Sequence, residues 1–280
     1  MSGQRNFPFK SSLNTSTLIP FQLDIKQQVL VAAEAGYEGI ELWMRDIDSY
    51  VASGGSLRQL RQFIRDTGVE AVNAIAFFKW ADADKETRER GFEQAEREMS
   101  MLAEIGCSAV AAPPFGTVET VSLDEMAERY FRLAQIGHQT GVEPYLEFWG
   151  RAKRLSRLSE ALYVAVESGV DDTKLLLDPF HMYTGGSRIE SIGYMDGRHI
   201  GIVHVNDYPA YPAREVITDK ERVFPGDGVG PNGLLARSLN KAGYNGYLSL
   251  ELFIPSYGSK SAVEAAEEGL MKMKKAYSLE

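Results

Sequence analysis

One alternation runs through the chain. A short apolar run rich in Val, Ile, Leu or aromatic residues is followed by a turn, then an amphipathic segment, then glycine. This repeat is the signature of βα units feeding a parallel sheet. It predicts helices over residues 24–36, 56–68, 86–106, 122–141, 154–169, 230–243 and 260–279, with a short, weaker one near 188–196. Three starts carry a capping pair: Asp24 with Gln27, Ser56 with Gln59, and Ser122 with Glu125. The apolar runs predict strands over 39–43, 69–78, 107–114, 143–150, 174–181, 201–207 and 246–253, and an eighth must come from residues 6–13, where the pattern is weak. Such an uninterrupted series favours a closed (β/α)8 barrel over an open doubly wound sheet, and neither GxGxxG nor GxxxxGK[ST] is present. No linker or low-complexity segment divides the chain, so residues 1–280 are expected to form one domain, near the ~250 residues usual for this barrel.

Composition narrows the function classes. The formal charge of −9 disfavours nucleic acid, whose phosphates need clustered Lys and Arg. No apolar run approaches the ~20 residues of a membrane span, and the opening MSGQRNFPFKSS lacks the apolar core of a signal peptide. A cytoplasmic protein with no membrane partner is therefore expected. The single cysteine, Cys107, opens the apolar stretch CSAVAAPP and reads as a small core residue.

Active sites of such barrels lie at the C-terminal ends of the strands. Four strands in chain order end on a metal-type ligand: Leu146 precedes Glu147, Leu175 to Leu177 precede Asp178, Ile202 and Val203 precede His204, and Leu248 to Leu250 precede Glu251. Each residue alone has a bland reading. Glu147 could pair with an arginine, Asp178 could cap a helix, His204 could be a satisfied core histidine, and Glu251 could be a surface residue. Together they are more specific. A carboxylate buried without a partner costs ~3–5 kcal/mol, and several facing one another repel. One divalent cation removes both penalties, and three carboxylates with one imidazole suit Mn2+ best, with Mg2+, Co2+ or Zn2+ as alternatives.

Of the other histidines, His138 and His199 read as structural or exposed. His181, in DPFH, is well placed at the mouth to hydrogen-bond a substrate. Trp43, Phe77, Phe78, Trp80, Phe115, Phe148, Trp149 and Phe253 crowd the strand ends. Trp149, two residues from Glu147, is the best of them for stacking on a substrate. The longest irregular stretch, 208–230, is rich in Pro and Gly, and a loop of that length is often functional.

The order LEFWG, LLLDPFHMYTGG, IVHVND, ERVFPGDG and LSLELF resembles the sugar phosphate isomerase/epimerase family of xylose isomerase-like barrels, most closely inosose (2-keto-myo-inositol) isomerases and ketose 3-epimerases. The resemblance covers the chain from Gly36 to the last strand. It implies that Glu147, Asp178, His204 and Glu251 bind the metal and that Glu147 and Glu251 also serve as acid and base. It further implies that His181 contacts substrate and that Arg222, in ERVFPGDG, binds a substrate hydroxyl. Glu41 in GIELW matches a family glutamate of supporting role, and Asn14 is a guess for the polar residue that the family places over the substrate. No Arg/Lys cluster for a phosphate is evident. The implied partner is a small sugar or cyclitol, and since family members often form dimers or tetramers, the resemblance allows a homo-oligomer. The implied reaction is isomerisation or epimerisation of a ketose or inosose through a metal-stabilised enediolate. A dehydratase of an inosose or dehydroshikimate type is the alternative. An endonuclease IV-like phosphodiesterase would need more than the four histidines present, and a non-catalytic carbohydrate-binding barrel would not need the ligand set.

Overall fold

The computed structural model describes residues 6–279. Eight parallel strands form the sheet: β1 (Lys10–Asn14), β2 (Gly39–Trp43), β3 (Glu70–Ile75), β4 (Ala109–Ala112), β5 (Glu143–Glu147), β6 (Leu175–Leu177), β7 (Ile200–Val205) and β8 (Tyr247–Leu250). Their hydrogen-bonded order is β3-β2-β1-β8-β7-β6-β5-β4. The β1–β8 ladder brings the first and last strands together. At the remaining seam the Trp80 indole N–H, just past β3, donates to the Pro113 carbonyl just past β4 at 2.8 Å. The result is a nearly closed (β/α)8 barrel.

Among the described residues nine α-helices accompany the strands: α1 (Ile25–Glu34), α2 (Met44–Ala52), α3 (Leu57–Thr67), α4 (Lys85–Ile105), α5 (Leu123–Thr140), α6 (Leu158–Glu167), α7 (Pro179–Gly185), α8 (Asn232–Lys241) and α9 (Ala262–Tyr277). The capping boxes at Asp24 and Ser122 form as the sequence indicates. Ser56 makes no side-chain cap bond, so α3 starts without the expected box and is held by burial of Leu60 and Ile64. Gly141 ends α5 at φ 75°, a left-handed conformation that glycine adopts without a Cβ penalty. No helix among the described residues is long and apolar enough to cross a membrane.

Several boundaries move. The 174–181 strand stops at Leu177, because Pro179 fits the first helical position and Asp178 caps it. His181 therefore sits on the short helix α7. The N-terminal strand, β1, is centred later than the expected residues 6–13, and the 188–196 helix is 3-10 over Ile189–Tyr194. The sequence reading missed α2 and the 3-10 segment Thr15–Phe21, which follow strands so closely that no polar turn announces them.

Strand periodicity sorts side chains to the two faces of the barrel wall. Leu13, Ile40, Leu42, Leu146, Val203 and Leu250 join the main core against the helices, whereas Val72, Ala111, Leu176 and Ile202 belong to a separate cluster lining the interior. The predicted aromatic crowd divides likewise: Phe78, Trp80 and Phe148 pack outward in the main core, and Trp43, Phe77 and Phe253 join the interior cluster. Cys107 is buried, as expected, and burial pushes its thiol up to about 12. At pH 8 the native protein should react with an aromatic disulfide reagent no faster than it unfolds, while urea-unfolded protein should release one equivalent of thiol promptly. Fast stoichiometric labelling of native protein would contradict this packing.

Candidate metal centre and active site

The interior alternation that places apolar residues low in the barrel places polar ones at its mouth. Tyr145 leads to Glu147 on β5, Leu176 to Asp178 past β6, Ile202 to His204 on β7, and Ser249 to Glu251 past β8. Glu147, Asp178, His204 and Glu251 are all at least 95% buried. Register aligns further members of the polar layer, with Asn14 opposite Glu41 and Glu41 opposite Asn73.

Asp178, His204 and Glu251 each offer a ligand atom, and these atoms lie within 4.8 Å of one another. His204 Nδ1 stands 3.1 Å from Glu251 Oε2 and 4.0 Å from Asp178 Oδ2, yet it is buried without a well-directed hydrogen bond. The other ring nitrogen, Nε2, is 3.1 Å from Glu41 Oε2. A metal-binding histidine typically gives its second nitrogen to a carboxylate that fixes ring and tautomer. Glu41 meets that description, and it is itself held by Asn73 Nδ2 at 2.7 Å and Asn14 Nδ2 at 3.3 Å. The orphaned Nδ1 and the two adjacent carboxylates fit a divalent cation. Glu147 is the expected fourth ligand, but its carboxylate does not come within the same reach of all three atoms.

Asp178 has two occupations. Its Oδ1 accepts from the Phe180 N–H at 2.7 Å and from Asn206 Nδ2 at 3.1 Å, capping α7, while Oδ2 faces the centre. The helix-cap and metal-ligand readings of this residue thus concern different oxygens.

Arg222 is buried, which excludes a solvated loop residue. Its Nη1 donates to Asp178 Oδ2 at 2.9 Å and Glu251 Oε2 at 2.6 Å, and Nη2 to Asp219 Oδ1 at 2.5 Å. Its guanidinium lies over the Phe180 ring at 4.6 Å, and its Nε has no partner. Asp207 governs the loop that delivers it. That buried carboxylate accepts from the backbone N–H of Tyr208, Gly226 and Gly230 at 2.8, 3.0 and 2.7 Å and from Asn232 Nδ2 at 2.6 Å. A Cβ at Gly228 would fall 2.4 Å from Asp207 Oδ1, so the glycines of PGDGVG let the backbone close on this carboxylate.

These contacts set the charges. Burial pushes Glu147 up to about 8, with Glu251 and Asp178 adding repulsion and His204 opposing. Burial also opposes ionisation of Asp178, but Arg222 and the two histidines prevail and hold it below the usual carboxylate range. Burial works against a charged His204, yet Glu251 and Glu41 raise it well above the ordinary imidazole value. Burial lowers His181, leaving a neutral ring.

The mouth opens into a cavity of about 580 Å³, lined by Glu147, His181, His204, Arg222 and Glu251 at its polar end. Trp43, Phe77, Phe115, Trp149, Phe180 and Phe253 wall it, and Lys79, Arg151 and Lys153 reach its rim. Trp149 packs against Phe77 and Phe115, and its indole N–H donates to Glu147 Oε1 at 2.9 Å, so it orients the glutamate as well as offering a face. His181 has an unpartnered Nδ1, with Nε2 at 3.8 Å from Asp178 and 4.0 Å from Glu147. Asn14 does not line the cavity: it is fully buried, donates to Glu251 Oε1 at 3.1 Å and accepts from the Trp43 indole at 2.9 Å. The guess that it covers substrate is corrected to a bracing role. His138 is exposed on α5, and His199 bonds the Thr173 carbonyl before β7 begins, so neither joins the mouth.

Comparison with known proteins agrees with this geometry. Residues 29–276 match the xylose isomerase-like TIM barrel family. The chain belongs to that family. It is 30% identical over 252 residues to an inosose isomerase of Bacillus velezensis, covering 86% of this chain and 88% of that one. It is 26% identical to a 3-dehydroshikimate dehydratase of Pseudomonas aeruginosa, covering 89% of this chain but only 39% of the relative. Among solved structures, the IOLI protein with a bound zinc atom superposes with TM-score 0.87 at 24% identity, covering 96% and 98% of the two chains. An L-ribulose 3-epimerase superposes with TM-score 0.73 at 19% identity, covering 96% and 95%.

The sequence reading missed Asn206, Asp207, Asp219 and the basic rim. Asn206 was within reach, since it lies two residues beyond His204 and shares its face. Glu41→Ala should lower the unfolding free energy of chelator-treated protein by ~1–3 kcal/mol in urea titration, because it leaves the buried His204 Nε2 without its acceptor while Glu251 still faces Nδ1. A loss below about 1 kcal/mol would mean that the pair does not hold His204.

Proposed function

We propose that this chain is a divalent-metal-dependent isomerase or epimerase of an inosose or ketose. The convergence of Asp178, His204 and Glu251 on one point, beside a cavity that also exposes Glu147, carries this reading. The inosose isomerase relatives support the substrate class. Asp178, His204 and Glu251 would hold the ion, with Glu147 completing the set. A carboxylate-rich site favours Mn2+, and Mg2+, Co2+ or Zn2+ are compatible with the same donors. When bound, the ion supplies Lewis-acid polarisation of a ketone oxygen and its neighbouring hydroxyl, which acidifies the carbon-bound hydrogen between them.

The chain's own residues do the rest. Glu147 and Glu251 come from well-separated strands, β5 and the end of β8. One carboxylate removes the proton and the other returns it, which inverts the carbon. Return from the same side to the neighbouring carbon moves the carbonyl instead. The neutral His181 ring, with its free Nδ1, hydrogen-bonds substrate. Arg222 offers its unpartnered Nε to a substrate oxygen and helps neutralise the enediolate. The aromatic wall excludes water and presents Trp149 to the ring of the substrate.

Incubation of the Mn2+-loaded protein with 2-keto-myo-inositol and a panel of ketoses in D2O should place deuterium on the carbon beside the carbonyl. Glu147→Gln and Glu251→Gln should each slow this exchange by about 10²–10⁴-fold. No exchange with any compound would refute the reading, and a product lighter by one water would favour the dehydratase alternative suggested by the 26%-identical relatives.

Metal affinity should also depend on pH. Glu147, at about 8, and His204, raised by its carboxylates, both carry protons near neutrality that a cation must displace. The Kd for Mn2+ should fall at least about tenfold from pH 6 to pH 8, with proton release on titration. A Kd flat across that range would contradict the protonated starting state.

A further inference from the structure

Arg222 reaches the centre from the far half of the β7–α8 loop, and three fastenings hold that loop. Asp207 binds its base. Ile217 packs into a small satellite core with Phe180, Tyr208 and Tyr183, in which the two tyrosine rings stack at 4.0 Å. The third fastening comes from another strand. Arg151, four residues after Glu147, donates through Nη1 to the Glu215 carbonyl at 2.9 Å and through Nη2 to the Arg214 carbonyl at 2.9 Å. Nη2 also donates to the Ile217 carbonyl. One guanidinium thus gathers three carbonyls just upstream of Asp219, which accepts from Arg222. The preceding Gly150 allows this approach, since a Cβ there would fall 2.4 Å from the His181 carbonyl on α7.

We propose that Arg151 is a positioning residue that clamps the active-site mouth. It ties the β5 loop, which carries Glu147 and Trp149, to the β7 loop, and so fixes Arg222 against Asp178 and Glu251. The planar guanidinium suits the task because its five fixed donors span several acceptors at once, and charge-assisted bonds exceed neutral ones in strength. A lysine ammonium is a point charge on a flexible stem and cannot reproduce that fork. Loops of this kind open more readily than the sheet beneath them, so loss of one fastening is felt locally. The structural claim stands apart from the proposed reaction, and only its catalytic consequence rests on that reading.

The test compares wild type, Arg151→Gln and Arg151→Lys by amide hydrogen exchange, and by Mn2+-dependent deuterium incorporation into 2-keto-myo-inositol. Arg151→Gln should speed exchange in peptides spanning 213–223 by about tenfold or more while peptides of β5 to β7 keep their protection. It should lower kcat by about tenfold with Mn2+ affinity within about twofold of wild type, a split that a general loss of stability would not give. Arg151→Lys should resemble Arg151→Gln. Unchanged loop exchange in Arg151→Gln, a loosened loop with full kcat, or restoration of both by Arg151→Lys would each overturn the proposal. If wild type itself leaves 2-keto-myo-inositol unlabelled, the isomerase reading fails on that substrate, and the clamp is decided by amide exchange alone.

Discussion

Four buried carboxylates share the mouth of this barrel with two buried cations. Glu41, Glu147, Asp178 and Glu251 face His204 and Arg222 in a region nearly closed to water. Isolated charges in such a place cost several kcal/mol each, so the arrangement persists only because every charge has a partner or keeps its proton. Glu147 keeps its proton through burial, and His204 keeps one between Glu41 and Glu251. A divalent ion that displaces both protons would leave the net buried charge unchanged. Exchange of two protons for one dication would therefore cost little electrostatically, which supports the proposed metal site.

The scaffold enforces that arrangement with few parts. Period-2 alternation turns consecutive strand residues to opposite faces, so the polar residue at each strand end shares the barrel interior with the residue two positions earlier. Short helix α7 starts directly at Asp178, which caps it with one oxygen and frees the other for the centre. The long loop after β7 has no secondary structure longer than the 3-10 turn Asp219–Glu221, so Asp207, Ile217 and Arg151 must specify it through side chains. Rigid strands carry the charged donors, and a fastened loop carries the arginine that balances them.

The amino-acid sequence revealed most of this centre because its key residues end apolar strands, and strand ends are readable from composition alone. Glu147, Asp178, His204 and Glu251 all stand out in that way, and the structure draws the last three within ligand reach of one another. Glu41 was noticed only as a family glutamate, because it lies within a strand where nothing local distinguishes it from a structural acid. Arg151 and Asp207 were illegible. Most of their partners are backbone groups, up to 66 residues away for Arg151 and 23 for Asp207, and backbone partners leave no residue-type signal. Asn14 was placed on the wrong task for a related reason. A buried asparagine at a strand end looks the same whether it meets substrate or braces neighbouring carboxylates. A strand end is hard to place where the strand passes directly into a helix, as at Asp178, since apolar Pro179 and Phe180 resume after a single acid with no polar turn between.

The central claim is that Asp178, His204 and Glu251 share one cation. Anomalous diffraction from crystals grown with Mn2+ tests it most directly. The account predicts a single strong peak about 2.0–2.3 Å from Asp178 Oδ2, His204 Nδ1 and Glu251 Oε2, with His204 Nε2 still facing Glu41. A peak elsewhere, or a ring turned to present Nε2, or no peak at saturating Mn2+, would contradict it.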